Sequence, residues 1–314
     1  MTQPADLTRP TTDAPAPAPD GAPGARPAPD PGGRADGAGL SVAEVVDLVE
    51  RAAPPALAAS WDSNRLICGD PQDRVSSVLL AVDPVTAVID EAIERGVEMI
   101  ITHHPLYLRG TEAVAATDPK GRLIHRLIRS GIALLNAHTS LDAAHGGVAD
   151  ALAAAVGLDD VVPLEPDPTD PAQGIGRVGR LPRPVSLRDF AAAAARALPD
   201  SAPGLLLGGD PEAEVRTIAV SGGAGDSLLA RARQVGADVF LTADLRHHPA
   251  SEHLEGGRPY LLCGTHWATE WVGLPPLARR LEAEALAKGA GLSAVVSRTV
   301  TDPWTMRLTT ADGA

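Results

Sequence analysis

Basic residues are scarce in this 314-residue chain. Lys and Arg number 27 against 40 Asp and Glu, a net charge of -13, and no basic run is longer than a pair. A surface tracking nucleic-acid phosphates therefore has little support, and the acidic balance chiefly favours solubility. Cysteine is scarcer still. Cys68 and Cys263 are too few for a disulfide framework and lack the CxxC spacing of a thiolate zinc site, which fits a reduced, cytoplasmic setting. Nowhere does an apolar run reach the length of a membrane span, and the first residues resemble neither a leader nor a transit sequence, so neither a membrane span nor export is expected. What is abundant is apolar residue, 44%, enough to fill a sizeable core.

Residues 1–38 consist largely of Pro, Ala, Gly and Asp and bury too little to offset their ordering entropy. A disordered tail is expected there, followed by one domain over 39–314. Order begins at "SVAEVVDLVERAA", where Ser41 and Glu44 have capping-box spacing and Val42, Val45, Val46 and Val49 form a helical stripe. "SSVLLAVD" reads as a buried strand, "PVTAVIDEAIERG" as a helix opened by Pro84 and closed by Gly96, and "VEMIITHH" as a second, parallel strand. "GRLIHRLIRSG" and "IALLNAH" repeat the rhythm. After "ADALAAAVG", a loop rich in Pro and Asp and the helix-like "SLRDFAAAAARAL", the chain restarts with "VRTIAVSGGAG", "DSLLARARQVG", "ADVFLTAD" and "PYLLCG". A long helix through "LARRLEAEALAKG" and the segment "LSAVVSRTV" complete it.

The halves correspond. "VSSVLLAVD", "AIERGVEMIITHHP" and "GIALLNAHTSLD" match "VRTIAVSGG", "ARQVGADVFLTADLRHHP" and "RPYLLCGTHWATE". The fold class is thus α/β, with two pseudo-duplicated lobes, about 39–165 and 166–314, facing each other across one site.

Every histidine lies between His103 and His266, most of them at strand ends, where ligands of parallel sheets bind. His103 and His104 are adjacent, so in extended backbone they point apart and suit two ions better than one. His138 with Asp142 and His266 with Glu270 have i,i+4 spacing, which puts imidazole and carboxylate on one helical face. That pairing suits Zn, Mn, Fe, Co or Ni. A lone HH pair is as readily structural as ligating; the convergence of His103, His104, Asp142, His266 and Glu270 on one sheet edge favours a metal site. His247 and His248 in "DLRHHP" are the duplicated counterpart, able to line the cleft, contact phosphates or cap a helix. His125 and His253 read as structural. "SGGAG", Ser221 to Gly225, reads as a tight turn before a helix whose amides are able to receive an anion, although the dinucleotide and P-loop spacings are absent.

Taken together, "WDSNRLICGD", "ITHHP", "AHTSLD", "SGGAG", "LTADLRHH" and "GTHWATE" resemble the Nif-three-like family of dinuclear-metal-centre hexameric proteins over roughly residues 41–300. Bacterial members of that family are named GTP cyclohydrolase 1 type 2 homologs. The resemblance implies two similar α/β lobes with a pair of divalent metals between them, assembled as a toroidal homohexamer. By motif position the family's ligands fall on His103, His104, Asp142, His266 and Glu270, the residues that spacing selects, with His138 orienting Asp142 or a water. Arg65 and Ala243 stand where glycines are usual, which would matter if those positions needed positive φ. The implied activity is a metal-dependent hydrolase in which Glu270 and Asp142 bridge the ions. His247 or His248 would move a proton or hold a nucleotide or phosphorylated substrate. GTP ring opening comes with the family label alone, since no guanine-reading motif is present. The alternative is a non-catalytic metal-binding ring with a regulatory or scaffold role.

Overall fold

The computed structural model describes residues 39–308, so the tail expected over 1–38 lies outside the described residues. The strands are β1 Leu40–Ser41, β2 Arg65–Cys68, β3 Arg74–Val75, β4 Ser77–Ala81, β5 Met99–Thr102, β6 Ala133–Asn136, β7 Asp159–Pro166, β8 Gly174–Ser186, β9 Leu206–Gly208, β10 Glu214–Ala224, β11 Val239–Ala243, β12 Tyr260–Gly264 and β13 Ser293–Val296. The helices are α1 Val42–Ala52, α2 Thr86–Arg95, α3 Pro119–Ser130, α4 Thr139–Ala143, α5 Val148–Ala155, α6 Leu187–Ala197, α7 Leu229–Gln234, α8 His247–Glu255, α9 His266–Trp271 and α10 Leu274–Ala287.

Local chemistry sets most of these elements as the sequence predicts, although Pro84, expected to open α2, lies before the N-cap Val85. Ser41 Oγ accepts from the Glu44 N–H at 3.1 Å and Glu44 answers at the Ser41 N–H at 2.7 Å, closing the capping box of α1. Gly96, at φ 68°, ends α2 in the left-handed conformation that glycine adopts without strain. Strands β4, β5 and β6 are almost wholly buried, as expected of parallel strands covered on both faces.

Two large sheets result, ordered β13-β4-β5-β6-β2 and β7-β8-β10-β11-β12-β9, beside a two-stranded β1-β3 ribbon. Each centres on three parallel strands, β4-β5-β6 and β10-β11-β12, and each carries a short antiparallel strand, β2 or β9, on the third. The duplication extends beyond the strands. "CGDPQDRV" after β2 and "GGDPEAEV" after β9 make the same turn: Gly69 and Gly209 stand at φ 128° and 131°, and Asp70 and Asp210 accept from the N–H two residues on. Helices α1 and α6 both open on a serine cap and dock by backbone bonds to those turns, Ala43 to Pro71 and Arg188 to Pro211.

The sheets also correct the expected division. A boundary at 165/166 cuts through β7, which belongs wholly to the second sheet, and β13, assigned by sequence to the second lobe, joins the first beside β4. The stretch read as a Pro- and Asp-rich loop is the β7–β8 hairpin. Pro163 and Pro166 are tolerated because β7 is an edge strand, where a missing N–H costs no ladder bond. "SGGAG" is likewise no turn before a helix: Ser221–Ala224 completes β10. The histidine-to-acid pairs of the two halves are one residue out of step. Ala133 pairs with Met99 and Tyr260 with Val239, so His138 matches Thr265, both capping their helices, while His266 lies one position further on.

A buried charge ties the second sheet to the helices beside the cleft. Arg177 of β8 is 1% exposed, pairs with both carboxylate oxygens of Asp150 of α5 through Nε and Nη2, and donates to the carbonyls of Gly174 (2.6 Å), Gly176 (2.8 Å) and Ala144 (3.2 Å). Truncating one member of a satisfied buried pair strands the other. Arg177→Met is therefore expected to lower unfolding free energy by about 3 kcal/mol, measured by urea denaturation.

Candidate metal centre

The first lobe presents two histidines from the end of β5. Their backbone continues the ladder past Thr102, His103 N to Ala81 O at 3.0 Å and His104 N to Val82 O at 2.8 Å, so the two side chains depart in different directions. His103 is buried; the His104 side chain is 21% exposed. Asp142 comes from α4, which follows β6. The second lobe contributes His266 and Glu270 from one face of α9, after β12.

All of them converge on Glu270, a buried carboxylate. Its Oε1 lies 2.9 Å from His266 Nε2 and 3.5 Å from His103 Nε2; its Oε2 lies 3.1 Å from His104 Nε2. Asp142 Oδ1 stands 3.6 Å from His103 Nε2. The cluster thus gathers every ligand selected from the sequence, across the two lobes.

The outward nitrogens set the tautomers. His104 Nδ1 bonds to Asp83, His266 Nδ1 to Asp244 and His138 Nδ1 to Asp62, each at 2.7 Å, while His103 Nδ1 faces the Ala137 carbonyl at 3.1 Å. These acceptors require Nδ1–H donors, so each Nε2 is turned to the centre. There His104 Nε2 and His266 Nε2 stand only 3.2 Å apart. Two lone pairs that close repel unless positive charge, a proton or a metal ion, lies between them. Ligands about 2.05 Å from a tetrahedral metal would stand about 3.3 Å apart, matching the 2.9–3.6 Å separations here. His103 Nε2, Asp142 Oδ1 and Glu270 Oε2 are buried without a hydrogen-bond partner, as ligand atoms awaiting a cation would be. The donor set fits a divalent ion.

Electrostatics agree. Burial alone would discharge the imidazoles, but hydrogen bonds donated to carboxylates push His104 up to about 10 and His266 to about 9. Burial would likewise raise Glu270, yet the His103 charge and the imidazoles of His104 and His266 beside it hold it well below the usual carboxylate range. Burial, aided by Glu270, pushes Asp142 up to about 6.

His138 also faces the cluster: one of its ring nitrogens lies within 4.8 Å of a ring nitrogen of each of His103 and His104. His247 and His248 do not reach the cluster; both are exposed on the first turn of α8, with rings 5.2 Å apart, and neither bonds to it. His253 is buried and bonded to the Pro259 carbonyl, and His125 lies within α3. Arg65 and Ala243 sit in β2 and β11 without positive φ, so the glycines they replace are not required for backbone conformation.

The supporting carboxylates Asp62, Asp83 and Asp244 escape sequence reasoning, although each has a signal. Asp83 and Asp244 directly follow strands, in "AVD" and "TAD", and Asp62 lies in the "WDSNRL" stretch. The C-terminal segment was equally hidden. After β13, Ser297 and Thr299 donate to Glu91 of α2 at 2.5 and 2.9 Å, and Thr301 donates to Asp83. That segment walls a cavity of about 430 Å³ opening on His104 and His266.

A profile of the Duf34/NIF3 (NGG1p interacting factor 3) family matches residues 40–303. The chain is 49% identical over 272 residues to a Streptomyces coelicolor protein named GTP cyclohydrolase 1 type 2 homolog, covering 86% of this chain and 95% of that one. A Mycobacterium tuberculosis protein of the same name is 34% identical over 373 residues, covering 85% and 97%. A Staphylococcus aureus crystal structure superposes with a TM-score of 0.79 at 27% identity, covering 86% of this chain and all of that one. A Bacillus cereus protein related to NIF3 shares the fold with a TM-score of 0.80 at 24% identity, covering 85% and 99%.

Two outcomes test the packing around this centre. Gly223 of β10 stands at φ 64°, and a Cβ there would lie 2.4 Å from Glu270 Oε1. Gly223→Ala should cost about 1–2 kcal/mol from the backbone alone, read by urea unfolding, and shift Glu270 in a crystal structure. Glu91 is the second: burial would raise it, but bonds from Ser297, Thr299 and Arg95 lower it below 4.5. A depressed carboxylate stabilises above its unfolded pKa and loses that contribution as pH falls through the folded one. Glu91→Gln should therefore speed amide exchange in residues 297–304 at pH 7, with the difference from wild type shrinking at pH values below 4.5.

Proposed function

The chain belongs to the Duf34/NIF3 family, and from that premise we propose that it holds a pair of divalent metal ions between its lobes and acts as a metal-dependent hydrolase. His104 and His266 would hold one ion and His103 and Asp142 the other, with Glu270 shared. The observation that carries this reading is the convergence of Nε2 atoms, each fixed by an outward Nδ1 hydrogen bond, on one buried carboxylate beside an open cavity. When bound, divalent metal supplies Lewis-acid polarisation and activation of water for hydrolysis.

The residues of the chain do the rest. Asp83 and Asp244 lock the His104 and His266 rings, and Asp62 does the same for His138, itself gripped by Thr139 and by the Ser63 N–H. Buried aliphatic side chains from both sheets keep water from the protein side of the cluster, while the cavity leaves the other side accessible. That accessibility favours hydrolysis over a purely structural metal site, which is closed. The relatives' name makes GTP the first compound to assay, and the homohexameric ring implied by resemblance is tested by sedimentation. Among the described residues no helix is long and apolar enough to cross a membrane.

Elemental analysis of protein purified without an affinity tag should find divalent metal in wild type and none above background in a His104→Ala, Glu270→Ala double variant; equal content in the two would defeat the assignment. Asp83→Asn and Asp244→Asn should each weaken metal affinity about 10- to 100-fold, measured by competition with a chelator, while leaving the fold intact.

A further inference from the structure

The cavity beside the centre has walls of a definite chemistry. Leu206, Leu245, Trp267 and Trp304 supply apolar and aromatic surface. Trp304 is 66% exposed, so its ring is free to stack on a guest. A second exposed indole, Trp61, at 61%, meets the His138 ring edge-on on the first-lobe side of the cluster. Planar rings are what such surfaces hold best.

Apart from the imidazoles of His104 and His266, which belong to the centre itself, the charged groups of the cavity are acidic. Asp83, Asp244 and Asp302 line it, and among the described lining residues there is no lysine or arginine. Arg246, two residues beyond Asp244, is paired with Asp226. Polyphosphates are held elsewhere by Lys, Arg or clustered N–H groups at helix ends. The amides of "SGGAG" are largely spent in β10, with the Gly223 N–H given to Thr269 Oγ1 at 3.0 Å. Nor does bound metal supply the missing charge: two divalent ions would be more than matched by Asp62, Asp83, Asp142, Asp244 and Glu270.

We propose that the substrate of this centre is a neutral or cationic ring compound carrying no phosphate, and that nucleoside triphosphates are excluded from the cavity. The proposal rests on the reading of the cluster as a metal-dependent hydrolytic centre and narrows its substrate class. A volume of about 430 Å³ suits a guest of nucleobase or nucleoside size. The ring lies against Trp304, and its reacting carbon faces His104 and His266. The acidic rim attracts a cationic group and repels a phosphate chain.

The experiment is binding, not turnover, so that it stands apart from whether hydrolysis occurs. Metal-loaded full-length chain is titrated by calorimetry with guanosine, adenosine and cytidine and with their triphosphates, at buffered free metal so that chelation by phosphate does not strip the centre. Metal content is measured on the same samples. At least one nucleoside should bind about tenfold or more tightly than its triphosphate. Trp304→Ala should abolish that binding with metal content unchanged, and Asp302→Lys should narrow the gap. Triphosphates binding as well as their nucleosides, or no nucleoside binding at all, would overturn the proposal. Loss of metal from wild type would instead defeat the underlying reading.

Discussion

A carboxylate removed from water must be met by positive charge, and Glu270 meets that requirement only across the boundary between the lobes. It is 3% exposed. Its neighbours are His266 on its own helix and His103 and His104 from the opposite sheet. Unmatched, such a charge would cost several kcal/mol of desolvation. The lobes must therefore stay in register, which is what Arg177 and the return of β13 to the first sheet also secure.

The second consequence concerns direction. An imidazole serves a metal only when the nitrogen it offers is the free one, and here the choice is made by groups behind the rings. Three aspartates at 2.7 Å and one main-chain carbonyl at 3.1 Å hold the Nδ1 hydrogens. Asp83 is held in turn by Thr301, so the C-terminal segment reaches the centre through two hydrogen bonds and walls the cavity as it does so.

The two lobes share the strand–turn–helix plan but not the chemistry at its end. Thr102 and Thr242 hold equivalent places near the ends of β5 and β11; the residues that follow are His103 and His104 in one lobe, Ala243 and Asp244 in the other. One lobe thus sends imidazoles inward where the other sends a small side chain and a carboxylate that orients His266. A cleft between duplicated halves becomes a site by divergence of a few strand-end positions on a common frame.

The parallel strands, most helices, the capping box of α1, the duplication and the five converging side chains were legible in residue order, because burial periodicity and i,i+4 spacing are local properties of the chain. The β7–β8 hairpin was not, since prolines that argue against a central strand are harmless on an edge. The one-residue offset between the halves, the sheet that β13 joins, and the carboxylates behind the rings were also hidden. Each depends on which distant backbone lies alongside, and side-chain type carries no record of that. Sequence alone determined that imidazoles and carboxylates would gather at strand ends; only the tertiary structure decided which nitrogen each ring presents and what sign of charge lines the cavity beyond, because hydrogen-bond partners and cavity walls come from segments far apart in the chain.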